Sequence, residues 1–220
     1  MNSLNYIKSD LLNNVKEVEH FFGKQEFSVP DDKRVFFLNQ VHGDAVVSLG
    51  LENKIKKNID GDAIITNNKD LYIGIRTADC VPIFITSRQA SFVSAIHAGW
   101  RGTFLGIVER VLEKVEKDFN CSKEDLRCAI GPSIGLCCYE VSYSMFNKFK
   151  KELALDEDSY RIHDGKYFIN LAEINKKIIN NYGVWEVELI RICTKCDNNF
   201  YSYRRDGSRD NNQISIIKIY

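Results

Sequence analysis

The stretch from Tyr72 to Thr103, YIGIRTADCVPIFITSRQASFVSAIHAGWRGT, constrains the fold more than any other part of the chain. It holds three short apolar runs rich in β-branched and aromatic residues: Tyr72–Ile75, Val81–Thr86 and Phe92–Ile96. The second and third runs are short enough to be buried strands of one sheet. Cys80 precedes the second run and His97 closes the third, so neighbouring strands bring the two together although they stand seventeen positions apart. A thiol beside an imidazole supports two chemistries. The imidazole can deprotonate the thiol to make a nucleophile, or both can ligate a borderline metal such as zinc. The inert alternative is a core Cys and a core His, since free Cys is commonly buried. Arg76 and Asp79 stand before the Cys, and Gly99-Trp100-Arg101-Gly102 follows the His, as residues that would furnish a site.

Bulk properties narrow the class. A chain of 220 residues is long enough for a substantial core in one large domain or two closely packed small ones. Its 30 basic and 30 acidic residues cancel, leaving no basic field for nucleic acid and no polybasic run for a membrane surface. No apolar stretch approaches bilayer-spanning length, and the N-terminus lacks the layout of a signal peptide, so a cytoplasmic protein is expected. Seven Cys is an odd number, and in a reducing compartment the thiols read as buried, metal-binding or catalytic rather than as a disulfide framework.

Along the chain, residues 1–33 read as a short helix or turn followed by a polar loop ending at Pro30-Asp31-Asp32. Arg34–Leu38, Ala45–Leu49 and Ala63–Thr66 are strand candidates, with Leu51–Ile59 a loop and Asp60-Gly61-Asp62 a turn. Leu105, Val108, Leu112, Val115 and Phe119 recur at helical spacing, with Thr103 as the expected cap. A strand at Asp125–Ile130, a helix through Lys150, an Asn170-capped helix stopped by Gly183, and strands Val187–Ile192 and Ile214–Ile219 follow. Glu152–Tyr160 reads as a polar connection. Strands outnumber helices without regular alternation, which points to an α+β or mixed α/β fold rather than a doubly wound one. Neither G-x-G-x-x-G nor a P-loop occurs.

His42, like Cys80 and His97, closes or adjoins an apolar run beside small or polar residues. Two imidazoles and a thiolate make a three-ligand set that leaves a tetrahedral ion one open position, as in catalytic zinc sites. Six motifs then carry a resemblance: NQVHGD at 39–44, DGDAIIT at 60–66, RTADCVPI at 76–83, AIHAGWRGT at 95–103, AIGPSIGLCCYEV at 129–141 and CTKCDNNFYSYRRDGSR at 193–209. In order and over nearly the whole chain, they resemble the YfiH family of laccase-like or polyphenol-oxidase-like purine nucleoside phosphorylases. The resemblance implies a single domain over residues 1–220, an α+β fold and a layered α/β/β/α sandwich of mixed sheets. It implies His42, Cys80 and His97 as zinc ligands, with copper as the alternative metal that the laccase-like name carries. It implies phosphorolysis of purine nucleosides (adenosine, inosine, guanosine and methylthioadenosine), with adenosine deamination as a further activity. The expected partners are small molecules, nucleoside and phosphate, bound by a monomer or homodimer. The chain departs from the family pattern at Ser133-Ile134-Gly135-Leu136 and at Ser208, and neither departure touches an implied ligand.

The chemistry assigns further candidates. Phosphorolysis holds phosphate against C1′ of the ribose and passes through an oxocarbenium-like state, by analogy with glycoside hydrolysis. Arg101 and Arg76 are the first candidates for phosphate, with Arg204 and Arg205 second. Asn39 and Asp62 are candidates for the base, the ribose hydroxyls or proton transfer. Cys80, His97, Asp62 and Arg101 thus form the catalytic set, and Asn39, Arg76, Arg101 and Arg204 the substrate set. Each has a plainer reading: Arg204 and Arg205 as a solvated pair, Asp60 and Asp62 as turn formers, Trp100 as a core anchor. Cys193-x-x-Cys196, with no second C-x-x-C, reads as structural, Cys137-Cys138 as packing, and His20 and His163 as surface residues. The competing functions are a Cys/His hydrolase or deamidase with Cys80 as nucleophile, a copper oxidase, and a zinc-stabilised binding module.

Overall fold

The computed structural model of the chain describes residues 5–29, 34–50, 58–153 and 155–220. The expected loops at Pro30-Asp31-Asp32 and over most of Leu51–Ile59 lie outside them. Among the described residues one sheet has six strands: β4 (Val46–Leu49), β5 (Ala63–Thr66), β7 (Val81–Ser87), β8 (Val93–Ala98), β9 (Leu126–Ile130) and β13 (Val187–Leu189), in the order β13-β9-β7-β8-β5-β4. A second has five: β1 (Tyr6–Ile7), β2 (Val18–Gly23), β3 (Val35–Phe37), β6 (Tyr72–Thr77) and β14 (Gln213–Ile219), in the order β1-β2-β14-β6-β3. A small sheet joins β10 (Glu140–Val141), β11 (Tyr160–His163) and β12 (Lys166–Ile169). Among the described residues the α-helices are α1 (Asp10–Asn13), α2 (Trp100–Phe104), α3 (Ile107–Phe119), α4 (Tyr143–Glu152), α5 (Leu171–Tyr182) and α6 (Tyr203–Asp206).

The six-stranded sheet is buried on both faces, which explains the unbroken apolar runs at β5, β7, β8 and β9. On one face Ile83, Ile85, Ile96 and Ile130 meet Val108, Leu112 and Val115 of α3 and Ile174 and Ile179 of α5. On the other, Ile64, Phe84, Val93 and Ala95 meet Phe22, Ile73, Ile75 and Ile217 of the five-stranded sheet. Phe22 and Phe84 stack across that seam at 4.6 Å. The fold is therefore α+β with layered mixed sheets, as the resemblance implied, and among the described residues α1 sits at the edge of the two sheets, against β2, β9 and β13.

Several local expectations change. The second and third central runs do share one sheet, as β7 and β8, whereas Tyr72–Thr77 belongs to the five-stranded sheet, so the chain crosses between sheets at Ala78-Asp79-Cys80. The helix after Gly102 is two helices. Gly106 turns the chain with φ 82°, so Leu105 is exposed and the apolar stripe starts at Ile107. Gly99 and Gly106, not Thr103, stand at the caps, while Thr103 is buried and bonds Asn175. Asn170 and Gly183 do bound α5, with Asn170 accepting from the N–H of Glu173.

His20 is the clearest correction. It lies on β2, which was missed as a strand, and is fully buried rather than on the surface. Its Nε2 accepts from the Ser9 N–H at 2.7 Å, so the ring must be neutral there. Burial chiefly, with Lys8 nearby, lowers its pKa from 6.5 to about 4. The unfolded chain therefore binds more protons between these two values, and stability present above pH 6.5 is lost as pH falls toward 4. The loss from this one group is about 3 kcal/mol. Urea unfolding at pH 7.5 and 4.5 should show a steep acid loss in the wild type and a shallower one in His20→Gln; equal slopes would refute the assignment.

Candidate active site

The β7–β8 hairpin builds the site. Val81 pairs with Ala98 and Pro82 with His97, so Cys80, one residue before β7, lies opposite Gly99. His42 arrives from the loop between β3 and β4, held at φ 59°. One ligand atom from each of His42, Cys80 and His97 lies within 4.8 Å of the others. The two imidazoles meet edge to face at 4.8 Å between centroids. His97 is buried, Cys80 half-buried and His42 exposed, so the set opens toward solvent on the His42 side.

Gly99 keeps the space free. A Cβ there would stand 3.1 Å from Cys80 Sγ, 3.4 Å from a His42 ring carbon and 3.8 Å from a His97 ring carbon. An alanine would crowd the Cys80 sulfur and lie in van der Waals contact with both imidazoles.

Asp62 is the anchor behind them. Its side chain is fully buried, and its carboxylate accepts from the N–H of Val41, His42 and Gly43 and binds His97 Nδ1 at 2.8 Å. That last bond turns His97 Nε2 toward Cys80 and His42. Burial raises the Asp62 pKa, but His97 and the loop N–H groups outweigh it and leave the carboxyl below its ordinary value. Burial also pushes the Cys80 thiol up, yet His97 and His42 reverse this and bring it down to about 6. His97 is held at about 9: burial lowers it, and Cys80 and Asp62 more than compensate. Cys80 and His97 thus each favour the charged form of the other.

These groups open into a cavity of about 630 Å³ lined by Asn39, Gln40, Arg76, Tyr139, Arg204 and Arg209 among others. Arg101 and Trp100 also line it. Four guanidiniums around one cavity make a strong field for an anion. Arg76 lies 3.8 Å over the Phe37 ring, and Arg204 lies 5.1 Å from the Tyr139 centroid and donates to the Glu140 carbonyl. Asn39 lines the cavity while donating to Asp60 at 2.5 Å.

The structure thus brings together His42, Cys80, His97, Arg76, Arg101, Arg204 and Asn39, and sets two expected residues apart from the cavity. Asp62 is not in its lining; it stands behind His97, so it positions the ring rather than touching base or ribose. Arg205 spends its guanidinium on the carbonyls of Thr194, Lys195 and Phe200 and on Asp206, and is a brace rather than a phosphate ligand. Arg209, Tyr139, Tyr203 and Gln40 line the cavity but were not singled out. Their signal was their place inside the matched motifs, on segments that carried more conspicuous neighbours. Asp79 was noted only as a neighbour of Cys80. It accepts from the Thr194 hydroxyl and the Arg204 N–H, both at 2.7 Å, tying the Cys80 turn to the C-terminal tract.

The donor set fits zinc on its chemistry: two neutral nitrogens and one sulfur, one ring fixed by a carboxylate, and an open side facing a cavity.

Among known proteins, the chain is 38% identical over 183 residues to a purine nucleoside phosphorylase of Bacteroides thetaiotaomicron, covering 81% of this chain and 68% of that one. It is 32% identical to an adenosine deaminase from an unknown prokaryotic organism, covering 66% of this chain and 57% of that one. The crystal structure of the YfiH protein of Bacillus licheniformis superposes with a TM-score of 0.75 at 27% identity, over 84% of this chain and 74% of that chain. The family model described as multi-copper polyphenol oxidoreductase laccase matches residues 2–220, and the chain belongs to that family, the YfiH family.

Proposed function

We propose that this protein is a zinc-dependent purine nucleoside phosphorylase, joining phosphate to C1′ of a purine nucleoside and releasing the free base. The observation that carries the reading is one cavity that joins a His/Cys/His ligand set to four arginines. A volume of about 630 Å³ lies within the usual range for small-molecule sites and suits a nucleoside with phosphate. His42, Cys80 and His97 would hold the zinc. A zinc ion in such a site supplies Lewis acidity, polarising a bound group or lowering the pKa of a water.

The chain's own residues do the rest. Arg101, Arg76 and Arg204 bind the phosphate dianion and set one oxygen against C1′, and Arg209 adds charge to the same wall. As the C1′–N bond breaks and the C1′–O bond forms, these guanidiniums stay fixed and need no reorganisation. Asn39 offers an amide to the base or a ribose hydroxyl. Tyr139 and Trp100 supply aromatic faces for the purine. Asp62 holds His97 in one tautomer and orientation throughout.

Adenosine deamination is the second activity proposed, supported by the deaminase relative. It has no use for an arginine cluster, which favours phosphorolysis as the main reaction. A laccase reaction is disfavoured by composition: the chain has four His, of which His20 and His163 lie away from the site, too few for several copper centres. The Cys80–His97–Asp62 line also resembles a nucleophilic triad, and inhibitors separate the two readings. A chelator should abolish activity if a metal is needed, whereas in a metal-free thiol enzyme only alkylation would. The direct test incubates metal-loaded protein with inosine or adenosine, with and without phosphate. Phosphate-dependent release of free base is expected; its absence would reject the proposal.

A further inference from the structure

Four of the remaining cysteines form a second cluster. Cys137 and Cys138 lie in the loop after β9, and Cys193 and Cys196 follow β13. Their four Sγ atoms all lie within 4.8 Å of one another. Cys196 Sγ is 3.3 Å from Cys138 Sγ and 3.6 Å from Cys137 Sγ. A tetrahedral ion with metal–sulfur bonds near 2.3 Å spaces its sulfurs by about 3.8 Å. The cluster therefore has the dimensions of a four-thiolate cage with little rearrangement.

The backbone shapes the cage. β9 and β13 run parallel, and the pairing extends past β13 into a bridge between Ser133 and Cys193. The Thr194 N–H donates to the Ser133 carbonyl at 3.1 Å, which fixes the two arms side by side. Beyond it, the N–H groups of Cys196 and Asp197 both return to the Cys193 carbonyl, at 3.1 and 3.0 Å, forming a tight knuckle that turns Cys196 back toward Cys193. On the other arm, Cys138 and Tyr139 N–H groups return to the Gly135 carbonyl, both at 3.0 Å. Gly135 also donates its N–H to Cys193 Sγ at 3.3 Å. A Cβ at Gly135 would stand 3.2 Å from Cys193 Cβ and 3.4 Å from Cys137 Sγ, so a side chain there would enter the cluster.

We propose that Cys137, Cys138, Cys193 and Cys196 bind a second zinc ion, structural in role and separate from the His42/Cys80/His97 set. Four protein ligands leave no open position, which distinguishes it from the site in the cavity. Its work is to staple two irregular segments. One carries Ile134 and Tyr139 into the cavity wall. The other leads through Thr194, which bonds Asp79, to Tyr203 and Arg204. The ion thus fixes the far side of the cavity from outside it.

The test uses the full chain, purified without added chelator, and does not depend on the reaction proposed above. Zinc analysis should find two ions per chain in the wild type. It should find one in Cys137→Ser/Cys196→Ser and one in Cys80→Ala. The wild type supplies a second readout that does not require the double variant to fold. Alkylation followed by mass spectrometry should show these four thiols protected in the zinc-loaded protein and labelled once a chelator removes zinc. The proposal is overturned if the four label equally fast with and without chelator. It is also overturned if any two of them form a disulfide in the freshly purified protein, or if Cys80→Ala retains no zinc.

Discussion

Replacing Cys80 with alanine is expected to lower kcat/KM for the proposed phosphorolysis by about 10³ or more, because the proposed zinc site loses its anionic ligand and with it several kcal/mol of transition-state stabilisation. The fold should survive. Cys80 is only half-buried, sits in a turn rather than inside β7, and alanine removes a single sulfur. Circular dichroism and urea unfolding should therefore stay near wild type while bound zinc falls by one ion. Unchanged turnover in the variant would remove both the metal role and the nucleophile role of this thiol. Loss of turnover with zinc fully retained would single out the nucleophile reading.

Asp62→Ala should be worse for the protein as a whole. It leaves the N–H groups of Val41, His42 and Gly43 without their acceptor and frees His97 Nδ1 in a buried place. Stranding a buried charge partner and several donors costs about 3 to 5 kcal/mol, or roughly 10 °C in Tm for a domain of this size. Zinc affinity should also fall by about 10- to 100-fold, the usual effect of removing the carboxylate behind a ligating histidine. Asp62→Asn retains an oxygen acceptor and should fall between. Calorimetry and zinc competition titrations check the two effects separately. A wild-type Tm in Asp62→Ala would contradict the anchoring role.

How far the sequence disclosed this site depended on where each residue's partners lie. Cys80 and His97 were legible because β7 and β8 are joined by a short turn, and burial of both sheet faces writes their strands as apolar runs. Their convergence with His42 depends on Asp62 drawing in the 41–43 loop, and Asp-Gly-Asp reads locally as a turn. β2 was missed because Glu19 and His20 interrupt its apolar pattern, and its partner β14 lies nearly two hundred residues downstream. The four-cysteine cluster was illegible for a related reason. Adjacent Cys137-Cys138 and Cys193-x-x-Cys196 form one group only through the parallel pairing of β9 with β13. Arg204 and Arg205 are neighbours in sequence but face different tasks, one at the cavity and one bracing carbonyls, a division set by the short turn of α6.

Anomalous scattering at the zinc edge, from crystals of the metal-loaded full chain, addresses the central claim. The expected result is a peak shared by Cys80 Sγ, His97 Nε2 and a ring nitrogen of His42. Its distances should be about 2.3 Å to sulfur and about 2.0 to 2.1 Å to nitrogen, with the fourth position facing the arginine-lined cavity. No peak between those three side chains, in protein that still cleaves nucleosides, would contradict the account.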